Sequence, residues 1–208
     1  NVDGYPVVAI GDNAYKNGAL EKLVIADSVT TIGVSAFEKC SFLTDVTLPK
    51  SLIKLKKRVF AYDPIESIEI PKSMNEAAYF LVNTKETING TTYTLCDGPF
   101  FCCTELKNVT FEEGTVEVST CLFAGCVGLE SITLPDSIVR IESSAFHSCP
   151  NLSNVTFNNT ITSIGASAFE NCVSLTSVDI PDSVTKLYDS AFERCSSLSE
   201  VSLSESLT

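Results

Sequence analysis

A phrase of 23 residues recurs down almost the whole chain, and a fixed period of that length leaves few folds open. Leu129, Ile132, Leu134, Pro135, Ser137, Ile138, Ile141, Ala145, Phe146 and Cys149 state it most fully. One period on stand Leu152, Val155, Phe157, Ile161, Ile164, Ala168, Phe169 and Cys172. The next period supplies Leu175, Val178, Ile180, Pro181, Ser183, Val184, Leu187, Ala191, Phe192 and Cys195. A unit this short cannot bury its own apolar face, so coils stack and each uses its neighbours as walls. Such a chain presents a surface. It seldom encloses a catalytic pocket.

The phrase reads L-x-x-[VIL]-x-[LIF]-P-x-S-[VIL]-x-x-[IL]-x-x-x-A-F-x-x-C-x-x, and the spacing predicts one solenoid over residues 1–208. Full coils open at Leu20, Leu43, Ile65, Leu106, Leu129, Leu152 and Leu175, after a partial coil over 1–19 and before a truncated one over 198–208. Because the chain starts at Asn1 and stops within a repeat, it reads as a piece of a longer protein. The coil from Leu43 is one residue short, since Asp63 and Pro64 lead straight into Ile65. The coil from Ile65 opens and closes in register but carries an insertion over about 75–99. Within it, Thr87-Ile88-Asn89-Gly90-Thr91-Thr92-Tyr93 sets an Asn-Gly turn between β-prone residues, which predicts a hairpin off the rim.

Inside a coil the periodicity changes. Ile132 and Leu134 flank Thr133 as a strand would, and Pro135 then ends the pairing because it has no N–H to donate. A second extended piece follows around Ile138 to Ile141, and Ser144 to Cys149 reads as one or two short helical turns. Stacked first strands would form a parallel sheet at roughly 4.8 Å per coil. Phe37, Phe60, Phe100, Phe123, Phe146, Phe169 and Phe192 then align as an aromatic spine. Departures from the grammar include Thr115 in an apolar slot, Leu122 in the Ala slot and Asp63 in the Cys slot.

Six of the nine cysteines share one column: Cys40, Cys103, Cys126, Cys149, Cys172 and Cys195. Equivalent Cβ atoms in a stack lie too far apart for disulfides and do not converge as zinc ligands must, so these read as small buried thiols. Cys96, Cys102 and Cys121 lie off the grammar, and one disulfide among them is open in an oxidising setting. The sole histidine, His147, is expected to face solvent. No phosphate loop, paired carboxylates or second histidine accompanies it, so no catalytic residue, cofactor or metal site is assigned. The net charge of −12 argues against nucleic acid, and no apolar run reaches a membrane span.

Candidate ligand positions fall in three groups. Thr47, Glu69, Thr110, Thr133, Thr156 and Asp179 form an outward column on the first strands, beside Lys22, Asp45, Ser67, Asn108, Ser131, Asn154, Ser177 and Glu200. Lys54, Lys56, Lys57 and Arg58, with Lys50 and Lys72, form a basic cluster on an acidic body, suited to steering an acidic partner or glycan. Asn89 and Gly90 mark the tip of the insertion. Five N-x-[ST] sequons, at Asn89, Asn108, Asn151, Asn154 and Asn158, read as by-products of the repeat.

The phrases Ile32-Gly33, Ala36-Phe37, Cys40 and Ile164-Gly165, Ala168-Phe169, Cys172 resemble those of BspA-type leucine-rich repeats, from about Pro6 to the end apart from the insertion. The resemblance implies a right-handed superhelix, with a parallel sheet on its concave side and short helical turns opposite. It also implies a non-enzymatic, extracellular or surface-displayed domain that adheres to a host or microbial protein or glycan. The alternative is a structural spacer with no ligand of its own.

Overall fold

The computed structural model describes residues 5–74, 83–88 and 90–208. Seventeen strands, numbered in chain order, lie among the described residues. The first strands of successive coils are β2 (Lys22–Val24), β4 (Asp45–Thr47), β6 (Ser67–Ile70), β9 (Asn108–Phe111), β11 (Ser131–Thr133), β13 (Asn154–Thr156), β15 (Ser177–Asp179) and β17 (Glu200–Ser202). The second strands are β1 (Ala9–Ile10), β3 (Thr31–Ile32), β5 (Lys54–Leu55), β10 (Glu117–Val118), β12 (Arg140–Ile141), β14 (Ser163–Ile164) and β16 (Lys186–Leu187). Two longer strands, β7 (Asn83–Ile88) and β8 (Thr91–Cys96), lie in the insertion.

All pairing between coils is parallel, and its register is the sequence period: Lys22 opposes Asp45, Ser131 opposes Asn154, and Ser177 opposes Glu200. Across the insertion Ser67 opposes Asn108 and Ile70 opposes Phe111, so the first-strand register resumes on its far side. The molecule is therefore a repeat solenoid of stacked parallel strands. The first-strand sheet is paired in twos (β2 with β4, β6 with β9, β11 with β13, β15 with β17). The second strands form two blocks, β1-β3-β5 and β10-β12-β14-β16, separated where the coil from Ile65 carries the insertion.

The predicted helical turns are not there, and no helix occurs among the described residues. In most coils two residues, four apart, adopt left-handed backbone instead, as in Ser35 and Lys39, Ser144 and Ser148, Ser167 and Asn171, or Ser190 and Arg194. Interrupting the right-handed conformation at that spacing forbids the i→i−4 bonds of a helix. Alternate N–H groups divide the work. Ala36, Glu38 and Cys40 donate back to Gly33, Ser35 and Phe37 within the coil, while Ser35, Phe37 and Lys39 donate across to Lys57, Val59 and Ala61 of the next. The turn side thus becomes a third between-coil ladder, and backbone groups that a helix would satisfy internally tie neighbouring coils together.

The spine stands as the period requires. Tyr15, Phe37, Phe60, Phe100, Phe123, Phe146, Phe169 and Phe192 stack with centroids 5.2–5.7 Å apart and interplanar angles of 2–22°. That offset, near-parallel geometry suits ring quadrupoles and adds to their burial. Phe111 and Phe157 meet Phe123 and Phe169 edge-on. The odd residues are accommodated as well: Leu122 is buried without disrupting the stack, and Thr115 donates its hydroxyl to the Glu112 carbonyl at 2.7 Å.

The cysteine column does more than fill space. Each thiol lies within bonding distance of the carbonyl of the spine residue in the preceding coil: Cys103 to Phe60, Cys126 to Phe100, Cys149 to Phe123, Cys172 to Phe146 and Cys195 to Phe169, at 3.0–3.4 Å. Cys40 reaches the Tyr15 carbonyl in the same way. Burial pushes Cys149 up to about 12 and Cys195 to about 11, so both stay protonated donors at neutral pH. Asp63 interrupts this column. It accepts a hydrogen bond from the Cys40 amide at 2.8 Å, but its second carboxyl oxygen is buried with no partner. Burial is the main cause that pushes its carboxyl up to about 8.

Candidate ligand-binding surface

From β4 to β15 the first strands alternate between buried and exposed residues. Val46, Ile68, Val109, Ile132, Val155 and Val178 point into the core, and their neighbours point out. Thr47, Glu69, Thr110, Thr133, Thr156 and Asp179 are accordingly all exposed and lie in one row, with Glu69 opposite Thr110 and Thr133 opposite Thr156. The row is not flat. Between β4 and β6, where regular pairing lapses, two hollows open on this face. One, of about 370 Å³, has an apolar floor including Val24, Leu48 and Pro71, edged by Asp27, Lys50, Glu69 and Glu112. The other, of about 350 Å³, lies among Val46, Ser67, Glu69, Asn108 and Thr110. Glu69 borders both.

The basic cluster divides on folding. Lys54, Lys56 and Lys57 sit at or just after the second strand β5, away from the first-strand row. Lys56 pairs with Asp12 at 3.3 Å and Lys72 with Glu112 at 3.4 Å. Arg58 has turned inward, pairing with Glu38 at 3.0 Å and Asp97 at 3.3 Å, with its guanidinium 4.8 Å from the Phe101 ring and 5.3 Å from that of Tyr62. Burial opposes ionisation of Glu38, but hydrogen bonds from Arg58, Ser35 and Lys16 outweigh it and hold the carboxyl at about 2. Arg58 is thus an anchor for the insertion, and its charge is already compensated.

The insertion forms the predicted hairpin, with Asn83 opposite Cys96 and Ile88 opposite Thr91. Gly90 takes φ 82° in its turn, and Asn89 lies outside the described residues. The hairpin does not simply project from the rim. Leu95 folds back and packs, fully buried, with Ala61, Phe101, Cys102 and Val127 on the turn side of the coils. Gly125, at φ 77°, lies directly beneath it: a Cβ there would come 2.9 Å from the end of the Leu95 side chain, which would have to shift. Tyr62 donates to Glu86, Thr84 donates to Asp97 at 2.8 Å, and a disulfide joins Cys96 to Cys121.

This return path overturns the expectation for His147, which is buried beneath the hairpin's flank. Its Nε2 stands 3.9 Å from Glu170 Oε2. Burial lowers its pKa, the Glu170 charge opposes that, and Arg194 reinforces it, so the imidazole is neutral at pH 7. Among the described residues no three His, Cys, Asp or Glu side chains are placed to hold a metal. Asn158, a sequon residue in the proline slot, is buried and donates from Nδ2 to the Pro135 and Ile138 carbonyls, so its amide is not accessible in the folded chain.

The sequence profile of the BspA type Leucine rich repeat region matches six copies, over residues 8–126 and 82–199. No curated protein matches the chain. Among solved structures, a leucine rich cell surface protein from Faecalibacterium prausnitzii is 26% identical with a TM-score of 0.52, over 95% of this chain and 57% of that one. A leucine-rich repeat protein from Eubacterium ventriosum is 24% identical with a TM-score of 0.66, over 88% of this chain and 44% of that one. One from Bacteroides ovatus is 20% identical with a TM-score of 0.50, over 98% and 78%. The chain spans about half the length of the first two proteins.

Proposed function

This chain belongs to the BspA-type leucine-rich repeat family, and on that footing we propose that it is a non-enzymatic, surface-displayed module that binds a protein partner through its first-strand face. The observation that carries this reading is the pair of hollows that meet at Glu69 in an otherwise regular row of short polar side chains. An apolar floor edged by Asp27, Glu69 and Glu112, with Lys50 beside them and Glu112 already paired with Lys72, leaves Glu69 and Asp27 to meet an extended segment that presents a Lys or Arg side chain next to an aliphatic one. Likeness to a leucine rich cell surface protein of Faecalibacterium prausnitzii supports display outside the cell. Shallow hollows and few exposed aromatic residues on this face favour modest affinity gained through many copies.

The test is adhesion of the labelled chain to epithelial cells, mucus glycoprotein and co-resident bacteria, with Glu69→Arg and Thr110→Arg introduced together. Adhesion should fall by about tenfold, the effect of losing one central contact. Unchanged adhesion, or none by the unaltered chain, would support a spacer without a ligand. Changing Lys54, Lys56 and Lys57 to Glu in the same assay asks whether the remaining cationic edge steers an acidic partner.

A further inference from the structure

A third concavity lies on the turn side of the coils, away from the first-strand row. The returning strand β8 overhangs two successive turns there and leaves a cleft of about 280 Å³ lined by Thr94, Cys96, Ser144, His147, Ser167 and Glu170. We propose that this cleft binds a single pyranose sugar residue, with one ring hydroxyl bridging His147 Nε2 and Glu170 Oε2.

Four observations support this. The His147 and Glu170 atoms are 3.9 Å apart, too far to bond each other, yet a hydroxyl oxygen placed between them reaches both at ordinary hydrogen-bond length. The neutral imidazole offers an N–H donor and the carboxylate accepts, which is the complement of one alcohol group. Glu170 is also held by Arg194 at 3.3 Å, so its charge is compensated and the cleft suits a neutral ligand more than a cation. Three of its other lining residues, Thr94, Ser144 and Ser167, carry hydroxyls, while the Cys96–Cys121 disulfide gives one wall an apolar sulfur surface. A pyranose has the matching division, with hydroxyls around its edge and C–H groups on its face. At about 280 Å³ the cleft falls just below the roughly 300–1,000 Å³ of pockets for drug-sized ligands, which fits one ring and excludes a folded peptide segment.

The chain has one histidine, so the ring signals of His147 report on this site without ambiguity. The probes are methyl α-mannopyranoside, methyl β-galactopyranoside and the methyl glycoside of N-acetylglucosamine, each titrated to about 100 mM with the His147 ring followed by NMR. At least one should shift the ring saturably, and Glu170→Gln should weaken that binding by about tenfold. Thr94→Val, which leaves the Arg194 pair intact, should weaken it by a smaller factor. Glu69→Arg should leave the titration unchanged, so failure here and failure of the first-strand reading are separable. No saturable shift with any of the three glycosides overturns the proposal, as does a shift of equal affinity in Glu170→Gln.

Discussion

Replacing Asp63 with cysteine should make the solenoid more stable, and the gain should depend on pH in a defined way. In every other full coil with the column residue, a thiol reaches the spine carbonyl of the preceding coil, and a thiol at position 63 would face the carbonyl of Phe37. Asp63 leaves that rung unmade and buries a carboxyl oxygen with no partner. Its carboxyl is raised from 3.8 to about 8, so the folded chain holds a proton that the unfolded chain releases. The sign follows from linkage. Below pH 4 both states are protonated and nothing is lost; as pH rises toward 8 the unfolded state is favoured by about 1.4 kcal/mol per unit; above 8 the loss levels off. Between pH 4 and pH 7 this comes to roughly 4 kcal/mol. Burial holds a column thiol protonated across that range, so the variant lacks the loss. Urea unfolding followed by far-ultraviolet circular dichroism, at one-unit steps from pH 4 to pH 8, compares the two chains. Their stabilities should diverge steadily with pH. Parallel curves would mean that Asp63 reaches water, and the account of the interrupted column would be wrong.

Two further outcomes follow from the packing. Phe146→Ala removes a ring stacked 5.6 Å from Phe123 and 5.2 Å from Phe169, which should cost about 3–5 kcal/mol. Hydrogen exchange should show the lost protection concentrated in those neighbouring coils, and uniform loss along the chain would contradict one-dimensional stacking. Changing Cys96 and Cys121 together to serine opens a closure across 25 residues, worth about 3 kcal/mol. Trypsin should then cut faster at the exposed Lys85 of the hairpin while cleavage elsewhere is unchanged, and equal rates at Lys85 would show that Arg58 and Leu95 hold the hairpin without the disulfide.

The period placed the spine, the thiol column, the inward Val and Ile positions and the outward Thr row, because each depends only on which residue recurs at a given offset. The Asn-Gly turn likewise marked the hairpin from local backbone preference. Where local pattern was ambiguous it misled. Ser144 to Cys149 has a composition that suits a helical turn, yet the paired left-handed residues send every second N–H into the next coil. The polar residues at those left-handed positions, Asn13, Asn17, Ser35, Ser144, Ser148, Ser167, Asn171 and Ser190, were the available signal.

What the sequence determined alone is the stack: a repeated phrase forces like side chains into rows whatever else the chain does, since translation from coil to coil is the only way to bury them. What tertiary structure decided is everything that involves the insertion, which obeys no period. Its return over the turn side drew Arg58 out of the basic cluster, pressed Leu95 onto Gly125, covered His147 and shaped the cleft beside Glu170. Those contacts join residues whose separations bear no relation to the repeat, and only the path of the folded backbone could bring them together.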